Sequence, residues 1–207
     1  MQSLGDPTTF VAAINHLSQN DPRLAKIIKK HGQIKFKPQG EMFESLVESI
    51  LGQQLAGAAA EAIIKRVRAL YIGGNLQPQT LYSTPVRKLR SAGVSPQKAR
   101  YLKDLSSRVV KGQLDLESLK EKSDNELLEA LDEVRGIGPW TVHMLMIFTL
   151  GRVDVLPVDD LGIKKGIQKA YLLREMPKKE RIELLAKSWH PYCSVASLYL
   201  WRHKDAD

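Results

Sequence analysis

Two short stretches of this chain carry residue types that do chemistry. Asp159 and Asp160 are adjacent carboxylates behind Pro157-Val158, and Asp160 lies twenty residues after Trp140. A carboxylate in such a place can stabilise a developing positive charge or orient a water. It can also do no more than cap the next helix. The second stretch, Gly136-Ile137-Gly138-Pro139-Trp140-Thr141, pairs two glycines one residue apart. Glycines allow positive φ and close approach of a foreign backbone. N–H groups exposed at such a turn, beside a helix N-terminus, suit a phosphate oxygen.

The flanking residues say what must hold these groups in place. Leu127, Leu128, Leu131 and Val134 recur at helical spacing and predict an amphipathic helix from Asn125. Ser123 is its expected N-cap, with Glu126 completing a capping box. The glycines end that helix, and Pro139 suits the first turn of the next, where its missing N–H costs nothing. The unit therefore reads helix, Gly-x-Gly hairpin, helix, over about residues 125–150. After it, Asp159 or Asp160 begins a helix reaching Leu172.

Upstream, Phe10, Val11, Ile14 and Leu17 are expected to line one face of a helix starting at Asp6-Pro7, and Asp21-Pro22 starts a second. Phe43, Leu46, Val47, Ile50 and Leu51 define another, interrupted at Gly52-Gln53-Gln54-Leu55. The small residues Ala56 to Ala60 are expected to open a tightly packed helix. Glutamines at such a joint can satisfy helix ends. Thr84-Pro85 and Ser95-Pro96 open further helices, and Gly112 to Lys122 reads as a loop or short helical segment. Downstream, Ile182, Leu184 and Leu185 mark one amphipathic helix, and a final helix is expected to carry Trp201 inward. No stretch reads as a strand.

With 207 residues and 43% apolar content, the chain has enough material for one large domain or two small lobes and is not a disordered chain. A net charge of +8 favours a polyanionic partner. The single cysteine, Cys193, excludes internal disulfides and any four-cysteine iron–sulfur cluster. No long apolar window suits a membrane span and the N-terminus has no apolar signal core, so a soluble intracellular protein is expected, in the cytoplasm or nucleoid of a prokaryote or the nucleus of a eukaryote.

Gly-Ile-Gly-x-Trp-Thr followed at this distance by Pro-x-Asp-Asp resembles the helix-hairpin-helix (HhH-GPD) DNA glycosylase superfamily, and within it the 3-methyladenine DNA glycosylase II group. The resemblance runs from about residue 38 to 202. It implies an all-α, two-lobed helical core without the extra N-terminal β domain of longer members. One lobe would combine 1–37 with 152–207, and the other would be the central bundle 38–151. The lobes would face each other across a DNA-binding cleft. The chain departs from the family at Trp189-His190-Pro191-Tyr192-Cys193-Ser194, where Cys193 stands in place of the usual arginine.

The resemblance also implies roles. Counting from Trp140 without gaps places the family's catalytic carboxylate at Asp160, leaving Asp159 a capping role. The amide-rich joint would supply a wedge into the minor groove, Gln54 flanked by Gln53 and Leu55, against the alternative of a plain helix joint. Phosphate anchors would be Gly136, Gly138, Trp140 and the Thr141 hydroxyl, with Lys98, and Arg100 beside it, at a looser second turn; a solvated basic face is the alternative. Trp140 and Trp201 match base-pocket positions, and Tyr192 or Tyr199, with Phe43, are further candidates for the pocket, with ordinary core packing as the alternative. No cofactor is implied beyond a monovalent cation, Na+ or K+, on the main-chain oxygens of Asp132, Val134 and Gly136. Bifunctional members carry a lysine where this chain has Trp140, and tryptophan cannot form a Schiff base.

The expected function is thus a monofunctional glycosylase that flips out and hydrolyses alkylated purines of the 3-methyladenine and 7-methylguanine type in base excision repair. Its expected partner is double-stranded DNA, with no membrane, and the chain is expected to be a monomer. The alternatives are a non-catalytic binder of abasic or damaged DNA and a glycosylase for another damaged base.

Overall fold

The computed structural model describes residues 3–206. Among them are thirteen α-helices and no strand. The chain divides into two compact units, Met1–Gln39 with Met146–Asp207, and Gly40–Leu145. The second boundary falls between Leu145 and Met146, inside the second hairpin helix and not after residue 151. The last turn of that helix accounts for this: Phe148 accepts a hydrogen bond from Gln39 N and stacks near Phe36, both in the first unit.

In the first unit, α1 (Pro7–Asn20) starts where sequence predicts. The Asp6 carboxylate accepts from the N–H and hydroxyl groups of Thr8 and Thr9. These bonds, the Thr8 hydroxyl first, hold its pKa down at about 2. Val11 faces solvent, contrary to expectation; Thr9, Phe10, Ala13 and Leu17 form the inner face. Phe10, Ala13 and Leu17 complete an i, i+3, i+7 stripe that Val11 lies outside.

Asp21 caps α2 (Pro22–His31), accepting at Oδ1 from Arg23 N and Leu24 N. Its Oδ2 accepts from the Trp189 indole at 2.9 Å and from the Tyr171 hydroxyl. One buried carboxylate so joins α2 to two later segments, and burial plus that carboxylate push the Tyr171 pKa up. After α10 (Pro139–Phe148) come α11 (Leu161–Ala170), α12 (Lys179–Ala186) and α13 (Cys193–Lys204). Every residue from Cys193 to Leu200 is buried, so α13 is the central helix, packed on α11, α2 and α1. In α12 Leu184 is exposed, and Ile182 with Ala186 turns inward in its place.

The second unit is built on α3 (Met42–Gly52), which buries Phe43, Leu46, Val47, Ile50 and Leu51 as their spacing predicts. The following α4 (Gly57–Arg68) departs from expectation, since Ala58 and Ala59 are exposed and only Val67 is fully buried. Arg68 joins α4 to α3 through Glu44 and Glu48, and Glu44 also accepts Leu76 N. Next come α5 (Pro78–Ser83), α6 (Val86–Ser91), α7 (Pro96–Val110), α8 (Leu116–Leu119) and α9 (Asp124–Asp132). The Ser123–Glu126 capping box at the start of α9 has both reciprocal bonds.

Candidate functional site

The hairpin between α9 and α10 is shaped by packing as much as by its glycines. Gly136 has φ +84, and a Cβ there would lie 2.2 Å from the Tyr101 ring. Tyr101 thus occupies the space that any other residue would need. Gly138 is different: its φ is ordinary and a Cβ would meet nothing. Ile137 between them is buried and pins the turn. The first-turn N–H groups of a helix have no acceptor within that helix, which makes such an end a site for an anion. Trp140 is 45% exposed here, whereas Thr141 is 4% exposed. The expected Thr141 hydroxyl anchor is therefore turned into the core.

The joint between α3 and α4 lies close to this hairpin. Gln54 adopts φ +58, which L-residues other than Asn, Asp and His seldom do, and both it and Leu55 are exposed. The Gln53 side chain is not presented outward; its Nε2 donates to Gly136 O at 2.6 Å. Lys98 does not reach outward either: its Nζ donates to Leu51 O and to Gln53 O, each at 2.7 Å. The last carbonyls of a helix have no partner within it, and an ammonium satisfies them. Burial lowers the Lys98 pKa accordingly. Arg100, two residues on, is exposed.

Two of the three expected cation ligands already accept hydrogen bonds, Gly136 O from the Gln53 amide and Val134 O from Ile137 N, and each carbonyl keeps a second lone pair.

In the first unit, Asp160 is the N-cap of α11, its Oδ1 accepting Ile163 N at 2.8 Å. The same oxygen accepts the Trp201 indole N–H at 2.7 Å. Asp159, the residue expected to cap, is exposed and stands 3.5 Å from Lys164 Nζ. Gly162 makes the Asp160–Trp201 contact sterically feasible. A Cβ there would lie 2.7 Å from Trp201 Cδ1 and 2.9 Å from Asp160 Oδ1. The Trp201 ring stacks at 5.5 Å on Phe148, which stacks at 5.8 Å on Phe36. Phe36 and Phe148 were missed in the sequence because no local pattern links residues this far apart.

The remaining base-pocket candidates are placed differently. Tyr192 packs edge-on against His16 at 5.4 Å. Phe43 is buried in α3 and borders a groove of about 610 Å³ with Glu41, Leu76 and Gln77, joined by none of the other candidates. Trp140 belongs with Phe43 to the second unit.

Cys193 is buried, and burial first, then the Asp154 carboxylate, pushes its thiol pKa up. Asp154 accepts the Cys193 amide and pairs with His190 Nδ1 at 2.8 Å. The three side chains bring metal-ligand types together, which their spacing in sequence did not reveal. Cys193 Sγ lies 3.5 and 3.7 Å from the two ring nitrogens of His190.

Comparison with known proteins places these features in a family. The model of the HhH-GPD superfamily base excision DNA repair proteins matches residues 47–191. The chain is 32% identical to the DNA-3-methyladenine glycosylase 1 of Schizosaccharomyces pombe, over 94% of this chain and 88% of that one. It is equally identical, at 32%, to the alkylbase DNA glycosidase-like protein mag2 of the same organism, over 93% of each. Among solved structures, the S. pombe 3-methyladenine DNA glycosylase in complex with abasic DNA superposes with a TM-score of 0.84 at 31% identity, covering 92% of this chain and 95% of that one. The DNA-3-methyladenine glycosidase of Bacillus halodurans gives 0.84 at 38% identity, covering 99% and 92%. The chain belongs to the HhH-GPD superfamily of base excision DNA repair proteins.

Proposed function

We propose that this protein is a monofunctional DNA glycosylase that extrudes and hydrolytically excises alkylated purines of the 3-methyladenine and 7-methylguanine type from duplex DNA. The observation that carries the reading is Asp160, whose Oδ1 is fixed by two N–H donors, Ile163 N and the Trp201 indole. A carboxylate held this way is oriented before any substrate arrives. The relatives named for 3-methyladenine support the substrate class.

The chemistry follows from the leaving group. Alkylation at N3 or N7 makes the purine cationic, so breaking its bond to C1′ releases a neutral base and leaves positive charge on the sugar. A nearby carboxylate stabilises that charge and orients the water that adds to C1′, its proton passing to solvent. A cationic base is drawn to electron-rich rings, which Trp201 and Phe148 provide beside Asp160. With Trp140 in place of a lysine, no Schiff base forms and an abasic site is left intact. The hairpin anchors a phosphate, the Gln54–Leu55 turn enters the duplex, and the chain acts as a monomer.

The test is base release from a duplex carrying methylated purines. Wild type is expected to release 3-methyladenine or 7-methylguanine, and Asp160→Asn to lose release while keeping DNA affinity. The alternative is a damage-binding protein without activity. Tight binding to abasic DNA with no release by wild type would establish it instead.

A further inference from the structure

We infer that Lys98 and Gln53 are positioning residues which brace the Gln54–Leu55 turn against the hairpin, so that phosphate anchoring and entry into the duplex are carried by one rigid element. The inference rests on the reading that this turn enters DNA, and it goes beyond that reading in assigning two residues that touch no DNA.

Four observations converge within the second unit. The turn is strained: Gln54 sits at φ +58 with its side chain exposed, and such a conformation persists only where its surroundings over-determine it. The surroundings do so through Lys98, whose Nζ grips Leu51 O at the end of α3 and Gln53 O immediately before the strained residue. Gln53 then reaches from the turn to Gly136 O, at the apex of the hairpin. Tyr101, one helical turn after Lys98 on α7, fills the space beside Gly136. One helix, α7, therefore touches both the turn and the hairpin. A basic residue on an exposed helix N-terminus is normally read as a phosphate contact, but the 2.7 Å bonds commit this ammonium to carbonyls.

A wedge pays for unstacking by filling the gap that an extruded base leaves, so a braced turn should discriminate gapped from intact DNA. The experiment measures affinities of wild type, Lys98→Met and Gln53→Ala for two duplexes, one undamaged and one with an abasic-site analogue, by fluorescence anisotropy over a range of salt. Each variant is expected to lose about tenfold of the preference for the abasic duplex, the order of one hydrogen bond to a charged or buried group. Affinity for undamaged DNA and its salt slope are expected to stay near wild type. Should Lys98→Met instead weaken binding to both duplexes alike and lower the salt slope by about one, Lys98 is a phosphate contact and the inference fails. It fails also if both variants keep the wild-type preference. Cooperative thermal unfolding of each variant checks its folding, and Gln53→Ala tests the brace through a separate bond. Because binding alone is read, the result stands even if wild type releases no base, which would sink the proposed excision and not the brace.

Discussion

The indole N–H of Trp201 donates to Asp160 Oδ1 at 2.7 Å, across 41 residues of sequence. The oxygen that caps α11 is thus also the one held by the central helix α13. A carboxylate that only capped a helix would need the first of these bonds and not the second.

Trp201→Phe separates the indole's donor from its aromatic face. Phenylalanine keeps a ring against Phe148 and removes the hydrogen bond. Single-turnover base release is expected to fall about tenfold with little change in DNA affinity, in line with loss of one bond to a charged group. A variant that releases base at the wild-type rate would show that the indole N–H has no part in orienting Asp160.

Gly162→Ala should uncouple activity from stability. Its Cβ would sit 2.7 Å from Trp201 Cδ1, so the indole must move away from Asp160. Gly162 has no positive φ, and alanine favours a helix by about 1 kcal/mol. Release is expected to drop by a factor similar to that of Trp201→Phe, while the unfolding midpoint stays within about 3 °C of wild type. A large fall in midpoint would show that the crowding is relieved by disturbing α11 and not the indole.

Asp21→Ala is expected to destabilise the first unit by about 3 kcal/mol in urea unfolding, since two cap bonds go and a buried and a part-buried donor are stranded. Those donors are the Trp189 indole and the Tyr171 hydroxyl. A loss below about 1 kcal/mol would reduce Asp21 to an ordinary helix cap.

His31 and His203 stack edge to face at 5.8 Å, each with a buried ring nitrogen lacking a hydrogen-bond partner. Burial foremost lowers both pKa values, helped at His31 by Arg202, Lys30 and Lys169, and at His203 by Lys169, His31 and Lys30. Their folded pKa values lie below the unfolded value of about 6.5, so the unfolded chain binds more protons as pH falls. Stability from this pair is complete above about pH 6.5 and is lost as pH drops through the lowered folded values. Melting temperatures between about pH 7.5 and about pH 5.5 should fall less steeply in His31→Gln than in wild type. Equal slopes would exclude the pair.

The sequence by itself determined the helical class, the α9–hairpin–α10 unit and the adjacency of Asp160 to a helix start. All three depend on residues within a few turns of one another: the capping box at Ser123–Glu126, the Gly136–Pro139 run, and the leucines at helical spacing. Reading Val11 and Leu184 as core was the cost of using periodicity alone, because a helical stripe does not say how wide the covering surface is. Only the tertiary structure decided where polar side chains find partners. Lys98 turned inward because carbonyls 45 and 47 residues away needed a donor, and Gln53 because Gly136 O lies 83 residues on. Asp160, not Asp159, became the cap and met Trp201, and Phe36 and Phe148 joined that tryptophan, through contacts between distant segments. Local spacing encodes the backbone hydrogen bonds of a helix, but a side chain's partner is set by which segments the hydrophobic core brings together.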